Sequence, residues 1–182
     1  MTIRPGDKIL FMKVGTHAAE DLTDIIARKQ AEIEREGFAL WGYGGNTCNP
    51  TSMVQPFALN AQGPIVLAMQ PMKSNHFAEP IRAEEYSPDG LTWTRVPSGI
   101  NCVGSRYALV IDSLEEVEDA IDLASTRVAV GPSLGRVGSA YIQGRVDKAC
   151  LEVTDELVGD PKIIEIGLRA NVVDPFAVYL RN

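Results

Sequence analysis

Residues 41–50, Trp-Gly-Tyr-Gly-Gly-Asn-Thr-Cys-Asn-Pro, hold the residue types best suited to meeting a ligand. Glycine lets a backbone come close to a bound group, and free amides at the start of a helix attract anions. Trp41 and Tyr43 offer a stacking surface for a base or sugar, and Gly44, Gly45 and Asn46 follow as a loop that would contact it. The stretch has no phosphate-loop lysine and does not spell G-x-G-x-x-G, so it suggests a cleft without naming a nucleotide-binding motif. The competing reading is a tight turn with core aromatics.

A second glycine-rich stretch, residues 130–139, reads Val-Gly-Pro-Ser-Leu-Gly-Arg-Val-Gly-Ser. Ser133 and Arg136 would suit a phosphate or carboxylate, Arg136 as a bidentate donor. A long glycine-rich connection is the alternative. If the two loops share a cleft, Arg136 or Lys148 would stand near the charged part of the ligand.

His17 and His76 are the only histidines. His17, followed by Glu20 and Asp21, is a candidate general acid or base, and Cys48 is a candidate nucleophile if folding carries it to a histidine. A helix cap or a surface position is the ordinary alternative. No H-E-x-x-H spacing and no nucleophile elbow occurs, so neither a metal nor a cofactor is expected.

Composition bounds these readings. A chain of 182 residues, 45% hydrophobic and 23% charged, fits one domain that builds its core without a metal or disulfide, and residues 1–182 are expected to form one. The net charge of −7 disfavours bulk nucleic-acid binding, which depends on neutralising phosphates. Charge is segregated: Glu115, Glu116, Glu118 and Asp119 precede a stretch holding Arg127, Arg136, Arg145 and Lys148. No signal peptide is visible, and no apolar run approaches the roughly 20 residues of a membrane helix. Cys48, Cys102 and Cys150 are widely spaced, as for reduced buried thiols, so the expected location is cytoplasmic, away from membranes.

The elements that must carry these residues alternate irregularly. Residues 8–14 read as a buried strand, and Leu22, Ile25, Ile26, Lys29 and Ile33 mark a helix over 18–36 that Gly37 ends. Strands follow at 38–43 and 64–69, with a Pro50-initiated helix distorted by Pro56 between them and a loop over 71–80 after them. Residues 83–96 spell a hairpin turning on Ser87-Pro88-Asp89-Gly90. Residues 106–112 form a strand, and Ser113 would cap a helix carrying Leu114, Val117 and Ile121. Later strands are expected at 127–130, 146–153, 163–168 and 177–180. The class expected is α+β: a curved mixed sheet or partly closed β-barrel with two or three peripheral helices.

The element order, with Glu84-Glu-Tyr-Ser-Pro-Asp-Gly-Leu-Thr-Trp93 followed by Tyr107-Ala-Leu-Val-Ile-Asp112, resembles the EVE and related PUA-like domains over about the first two thirds of the chain. The resemblance implies a small curved sheet that binds RNA or a modified base in an aromatic-lined pocket. Trp41, Tyr43 and Trp93 would then stack the base, and Asn46 or Ser74 would read its edge. The function expected is a binding module for a nucleotide, modified base or similar planar ligand. The alternatives are a small hydrolase or transferase using the same cleft, and a self-assembling interaction protein that pairs through strand edges.

Overall fold

The computed structural model describes residues 3–182, except for the side chain of Ser74. The first strand, β1 (Lys8–His17), is apolar on both faces. Ile9 and Phe11 point into one core, while Leu10, Met12 and Val14 point into another. A continuous apolar run is what a strand covered on both sides requires. It runs three residues further than the pattern suggests, because its end pairs in parallel with β3 (Ile65–His76), Thr16 opposite Asn75 and His17 opposite His76. That pairing also replaces the first half of the loop expected over 71–80.

The helix after β1 starts later than expected. Ala18 and Ala19 sit at positive φ in a turn where the amides of His17 and Glu20 each donate to the other's carbonyl, at 3.0 and 2.9 Å. α1 (Leu22–Glu36) then runs to Gly37, whose left-handed conformation (φ 85°) lets its amide donate to Ile33 O at 2.8 Å. β2 (Ala39–Tyr43) follows, then the first glycine-rich loop. The distortion expected from Pro56 takes the form of a wide π turn, Pro50–Val54, before the short α2 (Gln55–Asn60). The Asn49 side chain caps this turn by accepting from the amides of Thr51 and Ser52.

The hairpin forms as β4 (Glu85–Ser87) and β5 (Thr94–Arg95), antiparallel, with Asp89 accepting from the amides of Leu91 and Thr92. β6 (Tyr107–Ile111) is wholly buried. The next element is a correction: residues 115–122 are a strand, β7 (Glu115–Asp122). Val117 and Ile121, four apart, satisfy a helix and one face of a strand equally, and the free edge of β10 (Ile163–Arg181) decides between them. A 3₁₀ turn, Leu123–Ser125, leads into β8 (Thr126–Val128), and the second glycine-rich loop leads into α3 (Gly138–Tyr141) and β9 (Lys148–Val153).

The two late strands expected at 163–168 and 177–180 are one. β10 is the spine, pairing with β7 and β3 along its first half and with β6 and β4 along its second, across an interruption between Val172 and Ala177. The sheet order is β2-β6-β10-β3-β1-β9-β8, ten strands in all. Strand outweighs helix, 42% to 18%, and the sheet is curved but not closed, so the α+β class holds and the barrel does not complete itself. No helix is long and apolar enough to cross a membrane among the described residues.

Candidate functional site

The first glycine-rich loop hangs between the end of β2 and the π turn. Trp41 and Tyr43 anchor it instead of lining it: both belong to the main core, 5% and 4% exposed. This corrects the expectation of an open stacking surface. β2 alternates, and Tyr43 packs at 5.5 Å from Tyr107, which packs at 5.6 Å from Tyr179. The Tyr43 hydroxyl donates to Cys48 O at 2.5 Å, closing the loop at its base, and burial pushes this phenol far above its ordinary value.

Above that base, Gly45 and Asn46 are exposed and Gly44 is half-buried. Among the described residues, the amides of Gly45, Asn46 and Thr47 donate to no protein acceptor. Gly45 has φ +87°, and a side chain there would meet Lys148 Nζ at 3.3 Å. Consecutive unpaired amides around a left-handed residue form an anion-binding nest. Lys148 opens β9 with its side chain 8% exposed, and its ammonium donates to Asp147 at 2.7 Å. Arg106, just before β6, donates its amide to Tyr43 O at 3.2 Å. Its guanidinium stands 5.3 Å from the Tyr107 ring, exposed and in no ion pair among the described residues.

The fold brings the second loop to the π turn that follows the first. Gly131 (φ +86°) lies against Met53, so closely that a Cβ there would fall 2.9 Å from the Met53 methyl. Tyr141, at the end of α3, has its phenol pushed up by burial and by the thiols Cys48 and Cys150. Arg136 is exposed and lies 5.9 Å from the Tyr141 ring; Ser133 is half-buried. The second loop therefore meets the π turn through Gly131 and Met53, with Arg136 exposed beyond that contact. Trp93 stands apart on the β4–β5 hairpin, its ring 4.0 Å from the Arg181 guanidinium. Ser74 lies on β3, and its side chain falls outside the described residues.

The catalytic candidates do not combine. Cys48 is fully buried, its sulfur 3.9 Å from that of Cys150. That contact and burial hold the Cys150 thiol well above its ordinary value, so it is a poor nucleophile. His17 instead meets His76, Nδ1 to Nδ1 at 3.1 Å. Its Nε2 lies 3.2 Å from Val103 O and 3.4 Å from Ser105 Oγ. A carbonyl can only accept, so Nε2 carries the proton and donates to Val103; the Ser105 hydroxyl donates to the same carbonyl at 3.1 Å. A nitrogen that already holds a proton cannot take one from Ser105, and neither histidine hydrogen-bonds to Cys48 among the described residues.

Arg106, Tyr141 and Asp147 were not singled out by sequence reasoning. Arg106 opens a strand in the pattern, and the only signal was the aromatic beside it. Two concavities lie elsewhere, about 600 and 530 Å³, joined at Val66 and Arg169. Arg169, on the wall they share, is bound to the Glu115 carboxylate. No family model, curated protein or solved structure matches the chain.

Proposed function

We propose that this chain is a binding module for a nucleotide, modified base or similar planar ligand, with the anionic part of that ligand on the first glycine-rich loop. The observation that carries the reading is the run of unpaired amides at Gly45, Asn46 and Thr47, with the Lys148 ammonium against Gly45 and Arg106 joined by its amide to Tyr43 at the end of β2. An acidic chain with a few unpaired amides on one loop and a single lysine against it favours a compact anion over a long polyanion. With Trp41 and Tyr43 in the core, the planar part lies against Tyr141 and the Arg136 guanidinium at the rim of the second loop. Kinship with the EVE and PUA-like domains belongs to the same proposal, with the base-holding role moved from Trp41 to these rim groups.

The test is a thermal-shift series on the untagged protein with nucleotides, modified nucleosides and inorganic pyrophosphate. A ligand at a hundredfold excess over its Kd stabilises the fold by about 2.7 kcal/mol. In a chain of this length that is a rise in Tm of about 5–10 °C. Arg106→Ala, an exposed change, should remove most of the shift. No rise with any ligand, or an undiminished rise in Arg106→Ala, refutes the proposal.

A further inference from the structure

The only two histidines of the chain, 59 residues apart in sequence, face each other at the parallel ends of β1 and β3. Parallel strands in register place equivalent side chains together, and here the rings lie within 8° of parallel, with Nδ1 atoms 3.1 Å apart. Two nitrogens each 2.0–2.1 Å from one ion stand about 2.9 Å apart at a right angle and about 3.4 Å apart at the tetrahedral angle. The observed separation falls between these values.

The surroundings suit ligation. His17 Nε2–H donates to Val103 O, which fixes the ring and leaves Nδ1 with its lone pair turned toward His76. Anchoring the far nitrogen on a carbonyl is the usual support of a metal-bound imidazole. In the hydrogen-bonded pair His76 donates its Nδ1 proton to His17. Because His76 is exposed, water can move that proton to its outer nitrogen, so both Nδ1 atoms become free with no net proton lost. Glu20, although near, is held by Arg28 at 2.5 and 3.1 Å. No group of three or more His, Cys, Asp or Glu able to hold a metal occurs among the described residues, so water fills the remaining positions.

We infer that His17 and His76 form a two-imidazole site for a borderline divalent cation, Zn²⁺, Ni²⁺ or Cu²⁺, open to water on the His76 side. The experiment is a Zn²⁺ titration at neutral pH of untagged, isotope-labelled protein, followed through the imidazole resonances, which in this chain come from two residues alone. Both rings should shift together and saturate at one equivalent. His76→Ala, on an exposed side chain, should retain the amide spectrum of the folded protein and weaken binding at least about tenfold. Rings that stay unmoved in excess Zn²⁺, a shift of His76 alone, or equal affinity in His76→Ala would each overturn the assignment. Ni²⁺ in place of Zn²⁺ should broaden both rings together, a signature that simple loss of the imidazole hydrogen bond does not produce.

Discussion

Glu32→Ala probes how α1 is fastened to the rest of the chain. Glu32 and Lys29 lie on the buried side of the helix, their side chains 2% and 3% exposed and their charged groups 3.2 Å apart. The Glu32 carboxylate also accepts from Arg28 at 3.1 Å and from the Asn101 amide at 2.9 Å. Burial lowers Lys29 from its ordinary value, whereas Cys102 and Glu32 act to raise it, so the ammonium depends on this counter-charge. Removing one partner of a buried pair costs about 3–5 kcal/mol, because the other charge stays desolvated. At about 2–4 °C per kcal/mol for this length, Tm should fall by about 6–20 °C. Urea unfolding followed by far-UV circular dichroism and by the two tryptophans measures it. The double variant Lys29→Met/Glu32→Leu should be more stable than Glu32→Ala, since apolar replacement removes both desolvation penalties. The Asn101 amide would still lack its acceptor, a residual cost of about 1–3 kcal/mol. A loss below about 1 kcal/mol in Glu32→Ala, or a double variant no more stable than the single one, refutes the reasoning.

Phe11, fully buried between β3 and β9, should lose about 3–5 kcal/mol on replacement by alanine, read from the same urea curves. Gly138→Ala would drive a Cβ onto Thr126 Oγ1 and to 3.0 Å from Leu123 O, where the Thr126 hydroxyl already donates at 2.8 Å; overpacking of about 1–3 kcal/mol should appear as a lowered Tm. Gly45→Ala places a Cβ at φ +87° beside Lys148 and should cost about 1–2 kcal/mol as well as the ligand-induced thermal shift. His17, held below its ordinary value of 6.5 by burial first, binds its proton more weakly folded than unfolded. Stability should therefore fall as pH drops from about 6.5 toward the lowered value, and His17→Gln should flatten that slope in urea midpoints measured across the window. Glu20, lowered by its hydrogen bond from Arg28, acts in a separate range: its contribution is full above about 4.5 and is lost on further acidification.

Local pattern alone located β1, α1 with its Gly37 stop, the 83–96 hairpin and the apolar β6, because each is written in a period, a breaker or a turn residue that acts within a few neighbours. The two glycine-rich loops were legible for the same reason. Pairing decided the rest. Residues 115–122 carry a spacing that suits helix or strand, and they became β7 because the first half of β10 needed a partner. Residues 71–76 look like loop but extend β3, because β1 runs beside them and brings His76 to His17. Trp41 and Tyr43 have the chemistry of a stacking platform, yet which face of β2 meets the core depends on β6 and the loop above it. Sequence determined which residues are capable of chemistry, through composition and short-range geometry. Tertiary structure alone decided which of them meet and which are buried, since contacts between residues tens of positions apart leave no local periodicity to read.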